Sequence, residues 1–314
     1  MMTRLDAATF LKERDHFSVL THRRPDGDTL GSAALLCRGL RQLGKTAHII
    51  ENPEITDRYL PLHRGLTKPM CGEQDTVISV DVASAGMLPE VFAPYKNKIA
   101  LRIDHHGSAE TFTPFELVEP DTAACGEIVF GVLKEMGVSL DAPMADALYT
   151  AISTDTGCFR YANTTADTFL VAAECARMSR HLPELNRELF DTRSLGRLRL
   201  EGWLVEHMRF LRDGAVAICA LPKSVEENLR LTEDDLENIS GFPRSIEGVK
   251  VAATLREEKD GRIKLSVRAV PGYDAAAICV NFGGGGHKGA AGATFACSME
   301  EAVKLVENAI QTVI

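Results

Sequence analysis

Residues 17–36, FSVLTHRRPDGDTLGSAALL, decide the reading of this chain. The run Phe17–Leu20 is short and apolar, as a buried strand is, and a helical pattern runs from about Gly31 to Leu43. Between the two stand an imidazole and two carboxylates, His22, Asp26 and Asp28. Charge at the end of a buried strand is costly unless something pairs with it.

The same layout recurs downstream. TAHIIE (46–51), DTVISVD (75–81) and KIALRIDHH (98–106) are apolar runs, the last two ending in acidic or imidazole residues. GEIVFGVLKEMG reads as a helix closed by Gly137, and residues 142–159 hold another. Continuously apolar strands alternating with helices predict an α/β domain on a parallel sheet covered on both faces. In such sheets ligands bind outside the carboxyl ends of the strands. His22, Asp26, Asp28, Asp81, Asp104, His105 and His106 all fall just past strand ends.

From Leu182 to Asp213 the pattern is long, helical and rich in arginine, which suits a connecting helix. Beyond it, GAVAICAL, VKVAATLREE, GRIKLSVRA and GATFAC read as strands. Helices are expected near EDDLENIS, at YDAAAICVNF and from Met299, and EEKDGR reads as a hairpin loop. The expected organisation is an α/β domain over residues 1–185, a connecting helix over 186–213, and a smaller α+β domain with a mixed sheet over 214–314, with a cleft between the domains.

The formal net charge of −9 argues against a protein that grips long nucleic acid by its backbone, since such binding rests on neutralising phosphates with Lys and Arg. It is compatible with a short anionic substrate. Eight cysteines without a CxxC pair read as reduced, mostly buried thiols of a cytoplasmic protein. The first residues show no signal peptide, and no apolar run approaches the ~18 residues of a membrane span.

Asp26, Asp28, Asp81, Asp104 and Asp155 packed together as bare anions would repel and raise one another's pKa. Divalent cations resolve that conflict. Mixed Asp and His donors suit Mn²⁺, with Mg²⁺ as the alternative, and two ions ~3.5–4 Å apart would clamp a phosphoryl group and activate water. Each residue also has a plainer reading. Asp28 alone suits a helix N-cap, Asp155 alone a turn through Thr156, and a His pair alone an exposed loop. Four acidic sites at element ends, two with imidazole partners, favour the metal reading.

The run FGGGGHKGAAGA has four successive glycines, whose N–H groups can form an anion nest. It matches neither GxGxxG nor a Walker pattern. It follows a helical stretch and precedes a small-residue strand, which favours a binding loop over a linker.

THRRPDGDTLGS, ISVDVAS, RIDHHGS and AISTDTGCF resemble, in order, the four motifs of the DHH phosphoesterase superfamily, and NFGGGGHKGAAGATF resembles the signature of the associated DHHA1 domain. The layout is most similar to the stand-alone nanoRNase and pAp-phosphatase branch. That resemblance implies that His22, Asp26 and Asp81 hold one metal ion. It implies that Asp28, Asp81, His105 and Asp155 hold a second, with Asp81 bridging. His106 would act on the leaving oxygen or the phosphate charge, and Asp104 would orient the imidazoles. Arg268, His287 and the glycines Gly283, Gly284, Gly285 and Gly286 would bind the nucleotide. The activity implied is metal-dependent hydrolysis of very short oligonucleotides to mononucleotides, together with pAp to AMP and phosphate. Alternatives are a phosphodiesterase specific for cyclic or linear dinucleotides and a nucleotide sensor without catalysis. A homodimer is left open. Trp203 is expected in packing, and His16, His48, His63, His181 and His207 in structural or surface roles.

Overall fold

A computed structural model of the chain describes residues 2–107 and 111–313. It divides into two compact units, Met1–Thr192 and Arg193–Ile314.

The first unit is built on strands β1 (Phe17–Leu20), β2 (Ala47–Ile50), β3 (Thr67–Lys68), β4 (Thr76–Val80), β5 (Ile99–Asp104) and β6 (Phe115–Val118). All pair in parallel, in the order β3-β2-β1-β4-β5-β6. β1 is buried along its whole length, as its apolar run predicts. The order reverses between β1 and β4. This is the switch point at which open α/β sheets leave a crevice beyond the strand ends. The short outer strands β3 and β6 carry no continuous apolar run and are additions to the expected sheet.

The helices of this unit are α1 (Arg4–Lys12), α2 (Gly27–Gln42), α3 (Leu60–His63), α4 (Cys125–Glu135), α5 (Ala142–Asp155), α6 (Ala166–Met178) and α7 (Leu182–Asn186). α2 starts four residues before Gly31 because Asp26, not Asp28, is its N-cap: the Asp26 side chain accepts N–H bonds from Asp28 and Thr29. Gly31 lets α2 and α5 approach closely. A Cβ there would stand 2.4 Å from the backbone oxygen of Ala147 and 3.0 Å from the Ala151 methyl.

The expected connecting helix is interrupted. After α7 a π-turn covers Arg187–Asp191, the backbone is extended at Thr192, and Ser194 caps a new helix, α8 (Leu195–His207). α8 belongs to the second unit, where Leu200 and Leu204 pack with Cys219 and Leu221. Arg193, just before α8, and Arg197 within it both reach Glu201, at 2.7 and 2.8 Å, and Arg197 also donates to the Asp235 backbone oxygen at 3.0 Å. Trp203 stacks on His207 with ring centroids 4.2 Å apart.

The second unit carries β7 (Arg209–Leu211), β8 (Val216–Leu221), β9 (Val251–Glu257), β10 (Ile263–Ala269), β11 (Gly285–His287) and β12 (Ala290–Phe295), in the order β11-β12-β10-β9-β8-β7. Only β8 and β9 pair in parallel, so the sheet is mixed, as the sequence predicts. Helices α9 (Lys223–Leu229), α10 (Glu233–Leu236), α11 (Ala275–Val280) and α12 (Met299–Val313) complete it. Part of the glycine run is strand and not loop: Gly285–His287 pairs with Ala290–Gly292 in a hairpin. Gly286 has φ +144°, and a Cβ there would meet the Ala290 oxygen at 2.6 Å.

All eight cysteines are free thiols, five of them buried. Among the described residues no helix is long and apolar enough to cross a membrane.

Gly31→Ala should destabilise the protein by about 1–3 kcal/mol through overpacking of α2 on α5. Calorimetry would show this as a lowered melting temperature. An unchanged transition would mean that the two helices separate at no cost.

Candidate metal centre

Asp81 follows β4 directly. Its backbone is left-handed, with φ +58°, and its N–H bonds to the Ile103 oxygen at 2.9 Å. A non-glycine residue held there carries strain that neighbouring structure must offset. The side chain is buried, and its two oxygens face different partners. Oδ2 lies 3.5 Å from His22 Nε2, and Oδ1 lies 3.5 Å from both His105 Nε2 and His106 Nδ1. Oδ1 is buried without a hydrogen-bond partner.

Around Asp81 the donor atoms form three groups, each within 4.8 Å: His22, Asp26 and Asp81; Asp28, His105 and Asp155; Asp81, His105 and His106. The closest separations are 3.5 Å for His22 to Asp26, 3.7 Å for His105 to Asp155 and 3.8 Å for His105 to Asp28. These exceed good hydrogen bonds. They lie at or within a few tenths of an ångström of the spacing of donors that share one cation, since ligands about 2.0–2.2 Å from an ion stand roughly 3.0–3.5 Å apart. The structure thus brings together the six residues expected to hold metal.

The residues behind them fix their direction. His22 Nδ1 donates to the Arg23 oxygen at 2.8 Å, and His105 Nδ1 to the Thr122 oxygen at 3.1 Å. Each therefore turns Nε2 toward the carboxylates, which is how metal-binding imidazoles are usually held. Asp28 sits on the second position of α2, but its carboxylate serves another helix. It accepts the N–H groups of Cys125 (2.7 Å) and Gly126 (3.0 Å) at the start of α4, whose own cap residue, Ala124, has no side-chain acceptor. Ser32 Oγ donates to it as well, at 3.0 Å.

Asp104 is fully buried. Its Oδ1 accepts the His105 N–H at 2.8 Å, the His106 N–H at 3.3 Å and His106 Nδ1 at 2.8 Å. Asp155 ends α5, and Asn163 Nδ2 donates to its backbone oxygen at 3.2 Å. The next turn is strained, with φ between +56° and +61° at Gly157, Cys158 and Phe159. Sequence reasoning missed Asn163, Thr122 and the α4 N-terminus, because nothing in single residues signals these long-range contacts.

In the second unit, Arg268 and Gly283–Gly286 line one cavity of about 630 Å³. His287 is exposed at the end of β11 and is not among the described residues lining it.

The charges are strongly coupled. Burial works against a charged His22, but Asp26 and Asp81 outweigh it and raise its pKa to about 11. Burial likewise opposes charge on His105, and Asp81, Asp28 and Asp155 raise it to about 10. Burial and the charges of Asp81 and Asp155 push Asp28 well up. Burial raises Asp155 to about 6 against the pull of His105. Burial would raise Asp81 too, yet the two imidazoles hold it below the usual carboxylate range.

In the metal-free protein both imidazoles thus carry a proton at neutral pH. Each adds stability that is complete below its ordinary value of 6.5 and is lost as pH rises through about 10 to 11. Protonated Asp155 adds stability below its ordinary 3.8, lost as pH rises through about 6. Metal must displace these protons. Mn²⁺ titrated into metal-free protein near pH 7.5, in buffers of different ionisation enthalpy, should release more than one proton per chain. Its apparent affinity should rise with pH. Buffer-independent heats would rule out the protonated imidazoles.

The family model described as the DHH family, N-terminal domain, matches residues 16–152, and the DHHA1 domain matches residues 214–312. The chain is 33% identical over 296 residues to the bifunctional oligoribonuclease and PAP phosphatase NrnA of Thermus thermophilus, covering 93% of this chain and 88% of that one. It is 26% identical to the Bacillus subtilis protein of the same name, covering 93% of each. Among solved structures, an exopolyphosphatase-related protein from Bacteroides fragilis superposes with a TM-score of 0.88 at 27% identity, covering 98% of this chain and 96% of that one. The chain belongs to the DHH family and carries a DHHA1 domain over residues 214–312.

Proposed function

We propose that this protein is a divalent-metal-dependent phosphoesterase that hydrolyses very short oligonucleotides to mononucleotides and releases phosphate from pAp. One observation carries the reading: the two oxygens of Asp81 face separate groups of imidazoles and carboxylates drawn from four segments of the chain. The names of its relatives, oligoribonuclease and PAP phosphatase, supply the substrate class.

His22, Asp26 and Asp81 are assigned to one ion, and Asp28, Asp81, His105 and Asp155 to another. Mn²⁺ is the proposed metal, because carboxylates predominate and no thiolate joins the imidazoles. When bound, the ions supply Lewis-acid polarisation of the phosphoryl group and lower the pKa of the attacking water.

The chain's own residues do the rest. The Asp104 carboxylate raises the pKa of His106 through its bond to Nδ1, although burial opposes the charge. That favours the protonated imidazole, and Nε2 is the atom left to pass a proton to the leaving oxygen. The same bond fixes the ring, so Asp104 acts as a positioning residue. Arg268 is assigned to a substrate phosphate, which a guanidinium holds in bidentate fashion. The glycines beside it let the substrate approach the backbone. His287 is assigned to the nucleotide end on the strength of its place beside the glycines.

Asp81→Asn is the cleaner probe of the centre, because Asn tolerates the left-handed backbone that Ala does not. It should lower metal-dependent turnover of pAp and a dinucleotide by on the order of 10²–10³-fold, with an unchanged circular-dichroism spectrum. Full activity in that variant would overturn the assignment. Arg268→Ala should raise KM about tenfold or more with little change in kcat. A fall confined to kcat would place Arg268 in the chemical step instead. Assaying pGpG and cyclic di-AMP beside these substrates tests the narrower dinucleotide reading.

A further inference from the structure

Strand β10 alternates sharply. Ile263, Leu265, Val267 and Ala269 are buried in the core of the second unit, so Lys264, Ser266 and Arg268 share its opposite face. All three line the cavity that the glycine run borders. On the β12 side the neighbours are small and line the same cavity, whereas on β9 Ala252 and Thr254 are buried and stand outside it. Ser266 stands between Gly292 and Thr254, and Arg268 between Ala290 and Ala252. Thr294 flanks Lys264 on the β12 side. Arg256 flanks it on β9 and is drawn to Glu226 at 2.7 Å and Glu233 at 3.6 Å, so it adds little net charge there.

The result is a groove along β10, bordered by the small residues of β12 and the glycine run, with a cation at each end and a hydroxyl midway. Residues two apart on a strand are about 6.6–6.8 Å apart, so Lys264 stands roughly 13 Å along the strand from Arg268. That is on the order of two nucleotide steps along an extended single strand, whose backbone a basic groove tracks.

We propose that Lys264 is a length-reading residue. It binds the backbone phosphate two steps along from the one held by Arg268, which a substrate supplies only when it has four or more nucleotides, or three with a terminal phosphate. pAp and dinucleotides end before they reach it. This inference rests on the reading of the protein as a hydrolase of short oligonucleotides and adds a determinant of which lengths it prefers.

Steady-state kinetics of wild type, Lys264→Ala and Lys264→Arg with pAp, a dinucleotide and a pentanucleotide test it. Lys264→Ala should raise KM for the pentanucleotide about fivefold or more, leave kcat unchanged and leave KM for pAp and the dinucleotide within about twofold. The salt dependence of the pentanucleotide KM should lose about 0.7 of its logarithmic slope, the share of one single-strand phosphate. Lys264→Arg should restore both. An unchanged pentanucleotide KM overturns the proposal, and so does an equal rise for all three substrates. If wild type hydrolyses none of them, the broader reading fails. Anisotropy of a labelled pentanucleotide with wild type and Lys264→Ala then decides Lys264 separately, equal affinities counting against it.

Discussion

Negative charge gathered around one buried carboxylate governs the first unit. Asp26, Asp28, Asp81 and Asp155 come close enough to disturb one another, and Asp28 and Asp81 have almost no contact with water. In a low-dielectric pocket such a set is tolerable only if positive charge is supplied. Protons on His22 and His105 provide it in the metal-free fold, and divalent cations held by the same groups would provide more of it. A cation held there would have to displace those protons, so the imidazoles that neutralise the carboxylates are also groups that could hold metal.

The sheet makes this concentration achievable. β1, β4 and β5 lie side by side and run in the same direction, so residues just past their ends meet at one edge. Helix starts then share the electrostatic load. Asp26 caps α2 and Asp28 binds the first N–H groups of α4, so two acidic side chains sit where helix dipoles favour negative charge. The N-cap role and the metal role are not rivals here. The carboxylate that completes a helix start is held rigidly enough to serve as a ligand.

Much of this was legible in the sequence because it is written locally. Apolar runs ending in Asp or His mark the strands and the residues beyond them. The alternation along KLSVRA marks β10 and places Arg268 on a polar face. What was not legible depends on distant partners. β3 and β6 are short edge strands without an apolar signal, and the sheet alone creates them. The helical pattern across Leu182–Asp213 hid a break, because Ser194 can cap a helix but does not announce that the preceding one stops. Gly285 and Gly286 have low strand propensity and are paired only because β12 lies alongside. The left-handed backbone of Asp81 has no sequence signature beyond Asp being among the residues that accept it.

The bond from Asp28 to the first turn of α4 spans 97 residues of chain. Ala124 has no polar side chain, so that turn lacks a local acceptor and must wait for a distant loop to dock. Long-range closure of this kind comes late and at an entropic cost in a folding chain. Docking of that loop thus completes the start of α4 and fixes the direction of the Asp28 carboxylate together. Replacing Asp28 would therefore leave two buried N–H groups of α4 without their acceptor as well as removing a carboxylate from the group with His105 and Asp155.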